Sequence, residues 1–302
     1  MSELGLAGRA PAAAAPVGRR RTGNRSLGRL VRTQPLGAVA LALITLFVLA
    51  AILAPVIAPY DPVAQQREHF LQLPNAQFLM GTDDLGRDIF SRVLYGARTS
   101  LLVSVATLAA GGAAGIAIGV LSGYFGGSWI DTALQRVMDT LMAIPGIVLL
   151  LFIAALLGPS VRNTIIALSL LVIPSFNRVA RGEMLRIREE LYIESAKASG
   201  CSTWRILRRH GLPNLMAPLL VVTSLLFAIV IIAESALSFL GIGTPPPTPS
   251  WGAMLSEGSR YMEIAPWMVV FPGGVLTVAV LAFNLLGDAL RDFFDPKQGP
   301  RK

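Results

Sequence analysis

The sequence predicts an all-α integral membrane protein with six transmembrane helices, and three observations predict it. First, 53% of the 302 residues are hydrophobic and only 15% are charged, against about 25% charged in a soluble domain. Second, the charges are segregated from apolar runs, most of which reach the roughly 20 residues that a helix needs to cross a hydrocarbon core. Third, Lys and Arg concentrate in alternate connecting segments, the pattern produced when short basic loops stay cytoplasmic.

The spans follow in order. Thr33–Tyr60 is uncharged over its whole length, longer than the apolar region of a signal peptide, and is expected to be a retained anchor. Thr99–Ile130, Thr140–Val161, Gly211–Ala233 and Ile264–Gly287 are likewise long enough to span. The stretch Asn163–Asn177 has fifteen uncharged residues, too few by length alone, and charge decides for it. With six spans and a cytoplasmic N-terminus, 20 Lys and Arg fall inside and 6 outside. Five spans give 9 inside and 17 outside, and inverting that model places the Arg-rich N-terminus outside. Six spans with both termini cytoplasmic is the consistent arrangement, with Arg178 and Arg181 snorkelling to extend the fourth. Residues 1–35, with seven arginines among Ala, Pro and Gly, are expected to be a disordered basic tail drawn to anionic lipid. Residues 36–290 would form the six-span domain and 291–302 a cytoplasmic C-terminal tail.

Several chemistries are excluded. One cysteine, Cys201, and two histidines offer neither a disulfide framework nor a metal centre. None of Lys197, Lys297 and Lys302 follows a glycine, so the chain lacks the loop that cradles nucleotide phosphates. No catalytic residue, metal or cofactor is expected, and the basic residues lack the interleaved aromatics of a nucleic-acid surface.

Gly111, Gly115, Gly119 and Gly123 recur every four residues and share one helical face, where a neighbouring backbone can approach closely. The stripe reads as a static helix seam, with a sliding contact in a transport cycle as the functional alternative. The basic loop 178–212 has helix-forming composition over Arg181–Ser199, with Met184, Ile187 and Leu191 at helical spacing. Gly200 is placed to stop that helix. Ser202 can cap a second one with Trp204 and Leu207 on its apolar side, Gly211 can end it, and Pro213 suits the first turn of the fifth span. Glu234 lies in apolar sequence near Ser235 and Ser238. A carboxylate there must face protein or a wetted path, which leaves substrate contact and a structural or subunit-seam role both open. The run Pro245–Pro249 is expected to hold its loop extended.

Glu194-Ser195-Ala196, then Gly200, then Leu212-Pro213 resembles the E-A-A, G, L-P signature of permease subunits of bacterial ATP-binding-cassette importers. Ser195 stands where that family commonly has Ala. Gly81-Thr82-Asp83-Asp84-Leu85-Gly86-Arg87-Asp88, Gly123-Tyr124-Phe125-Gly126-Gly127, Ala143-Ile144-Pro145, Pro246–Met254 and Ala282–Asp288 resemble the dipeptide, oligopeptide and nickel branch, specifically its second permease. The resemblance implies a type I importer permease fold in the bacterial inner membrane. It also implies that Glu194, Ser195, Ala196, Gly200, Leu212 and Pro213, within a loop spanning 181–212, couple to ATPase subunits. The partners implied are a homologous permease, two ATP-binding-cassette ATPases and an extracytoplasmic solute-binding protein. The expected solute is a short peptide, with chelated nickel or another small solute as the alternative. An ion-coupled secondary transporter is the rival from another class, but it would carry its own intramembrane acids and usually a repeat, and this chain offers mainly Glu234.

Overall fold

The computed structural model describes residues 35–294. The expected basic tail therefore lies, apart from Pro35, outside the described residues. Helix α1 is Pro35–Ile57. A connecting segment with one 3-10 turn at Arg67–His69 leads to α2, Ile89–Tyr124. Helices α3, Trp129–Ala143, and α4, Gly146–Leu157, follow, then α5, Val161–Arg188. The basic loop carries α6, Leu191–Ala198, and α7, Thr203–Ile206. A π turn over Leu207–Gly211 runs into α8, Leu212–Phe239. Short α9, Trp251–Ser259, and α10, Trp267–Phe294, complete the described chain. Among the described residues, five helices are long and apolar enough to cross a membrane, and six spans result if α3 and α4 count as one broken span.

The boundaries differ from the expected ones for local reasons. Helix α2 begins ten residues before Thr99 because Asp88 caps it, accepting from the Ser91 N–H at 2.8 Å. It thereby takes in Arg92 and Arg98. The expected third span, Thr140–Val161, is bent by 90°. Pro145 has no N–H to donate and holds Ile144 extended at φ −89°, ψ 128°, the usual effect of proline on the residue before it. The short fourth span is part of a 28-residue helix that rises about 42 Å, so the helix itself supplies the missing length. Helix α10 runs to Phe294, past the expected boundary at 290. The proline run forms a turn around a cis Pro246–Pro247 bond and is not extended.

The glycine stripe builds the main seam. Helices α2 and α5 lie parallel, and a Cβ at Gly115, Gly119 or Gly123 would stand 2.5, 2.6 or 2.7 Å from the carbonyl oxygens of Ile173, Asn177 and Arg181. At Gly111 a Cβ would collide with Val172 and the Ser169 backbone. Backbone therefore meets backbone at four successive turns. Val172, Phe176, Ala180 and Met184 of α5 continue this contact into a buried cluster with Leu215, Leu219 and Val230 of α8. A second cluster joins α1, α2, α8 and α10 through Ala51, Leu101, Ile231 and Phe283, with Phe227 and Phe283 stacked at 3.9 Å. Helices α6 and α7 project from one end of the bundle, called here the loop end. Helix α9 and residues 58–88 cover the far end.

Candidate functional site

The loop that carries the signature residues is a bent helical projection, but its architecture departs from the single helix expected over Arg181–Ser199. Helix α5 continues through Arg188, and Glu190 turns extended at ψ 136° before α6 begins. The break rotates the faces apart. Met184 and Ile187 are buried while Leu191 is 78% exposed, so these three do not form one apolar stripe. Glu194, Ser195 and Ala196 lie on α6, where the Ser195 hydroxyl donates to the Leu191 carbonyl. Ile193 is fully buried in one cluster with Met184, Ile187, Ile206 and Leu207, which fixes α6 and α7 to the end of α5.

Gly200 ends α6 as anticipated, at φ +77°. The Gly200 N–H donates to the Lys197 carbonyl at 2.9 Å and the Cys201 N–H to the Ala196 carbonyl at 3.0 Å, the paired bonds of a Schellman end. Ser202 caps α7 through the Arg205 N–H. Of the two residues expected to give this second helix its apolar side, Leu207 is buried and Trp204 is 71% exposed. Gly211 does not end the helix. Its backbone stays helical at φ −67°, ψ −71°, and its missing side chain admits Met184, whose sulfur would lie 3.1 Å from a Cβ there. Leu212 and Pro213 open α8 as expected. Leu191, Tyr192, Trp204 and Leu212 present exposed apolar surface around the acidic and basic residues of the projection.

Glu234, Ser235 and Ser238 sit on α8 and are 0, 5 and 3% exposed. The Ser100 hydroxyl of α2 donates to Glu234 Oε2 at 2.9 Å and the Ser238 hydroxyl to Oε1 at 2.7 Å. Ser238 Oγ also accepts from the Thr244 N–H. Gly252 of α9 abuts the Ser235 backbone so closely that a Cβ would collide with it. The three residues are thus enclosed by α2, α9 and the preceding loop of the same chain.

Two ionic clusters escaped the sequence reading as clusters. At the far end, Glu257 of α9 accepts from Arg87 at 2.8 Å and from Arg92 at 2.7 Å, while Arg87 also donates to Asp83 at 2.6 Å. Asp83, Arg87 and Arg92 are all buried. The Trp251 indole donates to the Val93 carbonyl and Trp267 to the Thr82 carbonyl, so the far ends of α2, α9 and α10 are tied by polar contacts as well as apolar ones. At the loop end, Arg181 of α5 grips Asp131 of α3 with two bonds of 2.8 Å. The available signal was chemical. An arginine inside an apolar helix needs a carboxylate, but only the fold tells which one.

Comparison with known proteins places this architecture. The family model described as binding-protein-dependent transport system inner membrane component matches residues 115–299. The model for the N-terminal TM domain of oligopeptide transport permease C matches residues 28–74. The dipeptide transport system permease protein DppC of Alkalihalophilus pseudofirmus is 41% identical over 273 residues, covering 90% of each chain. A putative peptide transport system permease protein of Brucella suis is 44% identical over 259 residues, covering 86% of this chain and 87% of its own. The glutathione transport system permease protein GsiD of Pectobacterium atrosepticum is 42% identical over 264 residues, with the same coverage. Among solved structures, an inward-facing form of the MetNI methionine ABC transporter superposes with a TM-score of 0.55 at 18% identity, covering 68% of this chain and 98% of its own. The fold is therefore that of a type I importer permease. From the agreement of the family model with relatives matched over most of their length, the chain belongs to the family of binding-protein-dependent transport system inner membrane components.

Proposed function

We propose that this chain is a permease subunit of an ATP-driven peptide importer, forming half of the pore with a homologous permease. Two ATPase subunits would dock on the loop end, and a solute-binding protein would deliver a di- or oligopeptide at the far end. The observation that carries this reading is the loop from 181 to 212. Its helix α6 is closed by paired backbone bonds, anchored inside by Ile193 and faced outside by Leu191 and Tyr192, with Trp204 of α7 exposed beside them. Such a projection is built to transmit force to and from a second protein. Glu194, Ser195, Ala196, Gly200, Leu212 and Pro213 are its working residues, while ATP hydrolysis belongs to the partners.

The loop end faces the cytoplasm of a bacterial inner membrane in this reading, as the positive-inside count requires, and the basic N-terminal segment meets anionic lipid. The peptide relatives support a peptide as solute. Glu234, Ser235 and Ser238 act as an internal clasp, because hydroxyl donors and neighbouring helices already enclose the carboxylate. That enclosure also weighs against an ion-coupled transporter, which would depend on Glu234 as an accessible acid.

Deletion of the gene tests the assignment. Uptake of a labelled di- or oligopeptide should be abolished and nickel uptake preserved. Loss of nickel uptake with peptide uptake unchanged would sink the peptide assignment while sparing the importer. In parallel, Gly200→Pro and Glu194→Lys should insert normally yet lose ATPase co-purification or transport, since the first cannot adopt a positive φ and the second reverses a charge. Normal values of both in either mutant defeat the coupling role.

A further inference from the structure

We propose that Asp131 and Arg181 form a positioning pair that carries displacement of the coupling loop into the broken span α3–α4. The inference rests on the coupling reading above. Helix α5 runs unbroken from the bundle to Arg188, three residues before α6, so any movement of α6 acts directly on its last turns. Two arginines of those turns, Arg181 and Arg188, are seven residues apart and share a helical face. Arg181 holds Asp131 with Nε to Oδ1 and Nη2 to Oδ2, both 2.8 Å. Arg188 donates to the Gly126 carbonyl at 2.9 Å, at the corner where α2 turns into α3. Asp131 is 4% exposed and fully occupied, since it also accepts from the Ser122 hydroxyl and the Gly127 N–H. Gln135 donates to Ser122 and accepts from Asn177.

Helix α4 packs on α5 chiefly through apolar contacts. Helix α4 buries Leu149, Leu150 and Ala154, while Ile147, Val148, Phe152 and Leu156 are 49, 51, 66 and 74% exposed. Polar contacts from α5 run along α3, from Arg178 on the Met142 sulfur and Asn177 on Gln135 to the ion pair at Asp131, which sits at the start of the helix. A single hydrogen bond would act as a swivel there. A planar guanidinium fork on a carboxylate fixes orientation as well as distance, so rotation of α5 must tilt α3 and, past the 90° bend, reposition α4.

The test uses the complete importer, both permeases with ATPases and binding protein, reconstituted in liposomes. Asp131→Asn, Arg181→Gln, the double variant and the conservative Arg181→Lys are compared for recovery of assembled complex, basal ATP hydrolysis and peptide transported per ATP hydrolysed. Assembly and basal hydrolysis should be unchanged. Transport per ATP should fall about tenfold in each single variant, the scale of losing one charge-assisted bidentate contact. The double variant should be no worse than the singles, and Arg181→Lys should recover part of the loss. An unchanged ratio in the singles, additive losses in the double, or failed assembly in all variants including Arg181→Lys would overturn the proposal. Glu194→Lys, run alongside, separates the two readings. Normal coupling there with a reduced ratio in the pair variants removes Glu194, and not the pair, from the force path, whereas the reverse pattern refutes the pair alone.

Discussion

Replacing Gly119 by alanine tests the glycine seam at its middle. The added Cβ would lie 2.6 Å from the Asn177 oxygen, 2.8 Å from the Ala180 Cβ and 3.0 Å from the Arg181 nitrogen. Two of these three neighbours are backbone atoms, so no side chain can swing aside to make room. Ordinary contact requires at least 3.4 Å, so the helices must part locally by about 0.8 Å, and a gap of that size forfeits roughly a quarter to a half of each dispersion contact along the seam. We expect a destabilisation of about 1–3 kcal/mol, the range for overfilled contacts. Gly182 is the matched control on α5, because a Cβ there meets nothing within 4 Å. Its alanine variant should be neutral or gain up to about 1 kcal/mol from helix propensity. Denaturant unfolding of the detergent-solubilised chain, followed by circular dichroism, reads both. Equal stabilities for Gly119→Ala and Gly182→Ala would refute a close-contact seam. If Gly119→Ala instead kept its stability and lost only transport, the seam would be a sliding surface.

The remaining expectations concern buried charge and orientation. Glu234→Leu should lower stability by about 2–4 kcal/mol, because two hydroxyl donors lose their acceptor, and Glu234→Gln should lose less by keeping one acceptor oxygen. A Glu234→Gln variant of normal stability that no longer transports would contradict the internal clasp. Glu257→Gln leaves Arg87 and Arg92 crowded against Asp83 and should cost about 2–3 kcal/mol in the same unfolding assay, less than a fully buried pair because the Glu257 side chain is 29% exposed. An unchanged midpoint would show that Asp83 suffices for both arginines. Cys201, in the bend between α6 and α7, should be spared by a membrane-impermeant thiol reagent in intact cells and modified in inverted vesicles stripped of ATPase. Rapid modification in intact cells would invert the orientation.

How far the sequence could be read differs by element, for physical reasons. Helices α1, α8 and α10 announce themselves through long apolar runs, because composition alone decides where a chain satisfies its backbone away from water. The glycine stripe and the Gly200 stop were legible because each depends on local geometry, a four-residue repeat or a positive φ. The start of α2 was hidden because its first turns carry Arg92, whose charge is neutralised by Glu257 from 165 residues away. The break at Ile144–Pro145 was written in a proline, but average hydropathy passes straight across it. Leu191 misled because helical spacing was counted through Glu189 and Glu190, where the helix stops. The Asp131–Arg181 contact spans 50 residues and belongs to no local pattern.

The broken span also bears on how the chain is made. Helix α4 has twelve residues and rises about 18 Å, well short of a hydrocarbon core about 30 Å thick. Helix α3 before it carries Asp131, Arg136 and Asp139. Helix α4 is apolar throughout but alone too short to cross, so the third crossing is completed only together with α3, whose charges need partners from elsewhere in the bundle. Arg181, which holds Asp131 in the folded bundle, is made 50 residues after it. The third crossing therefore reaches its final position only once the fourth has been made.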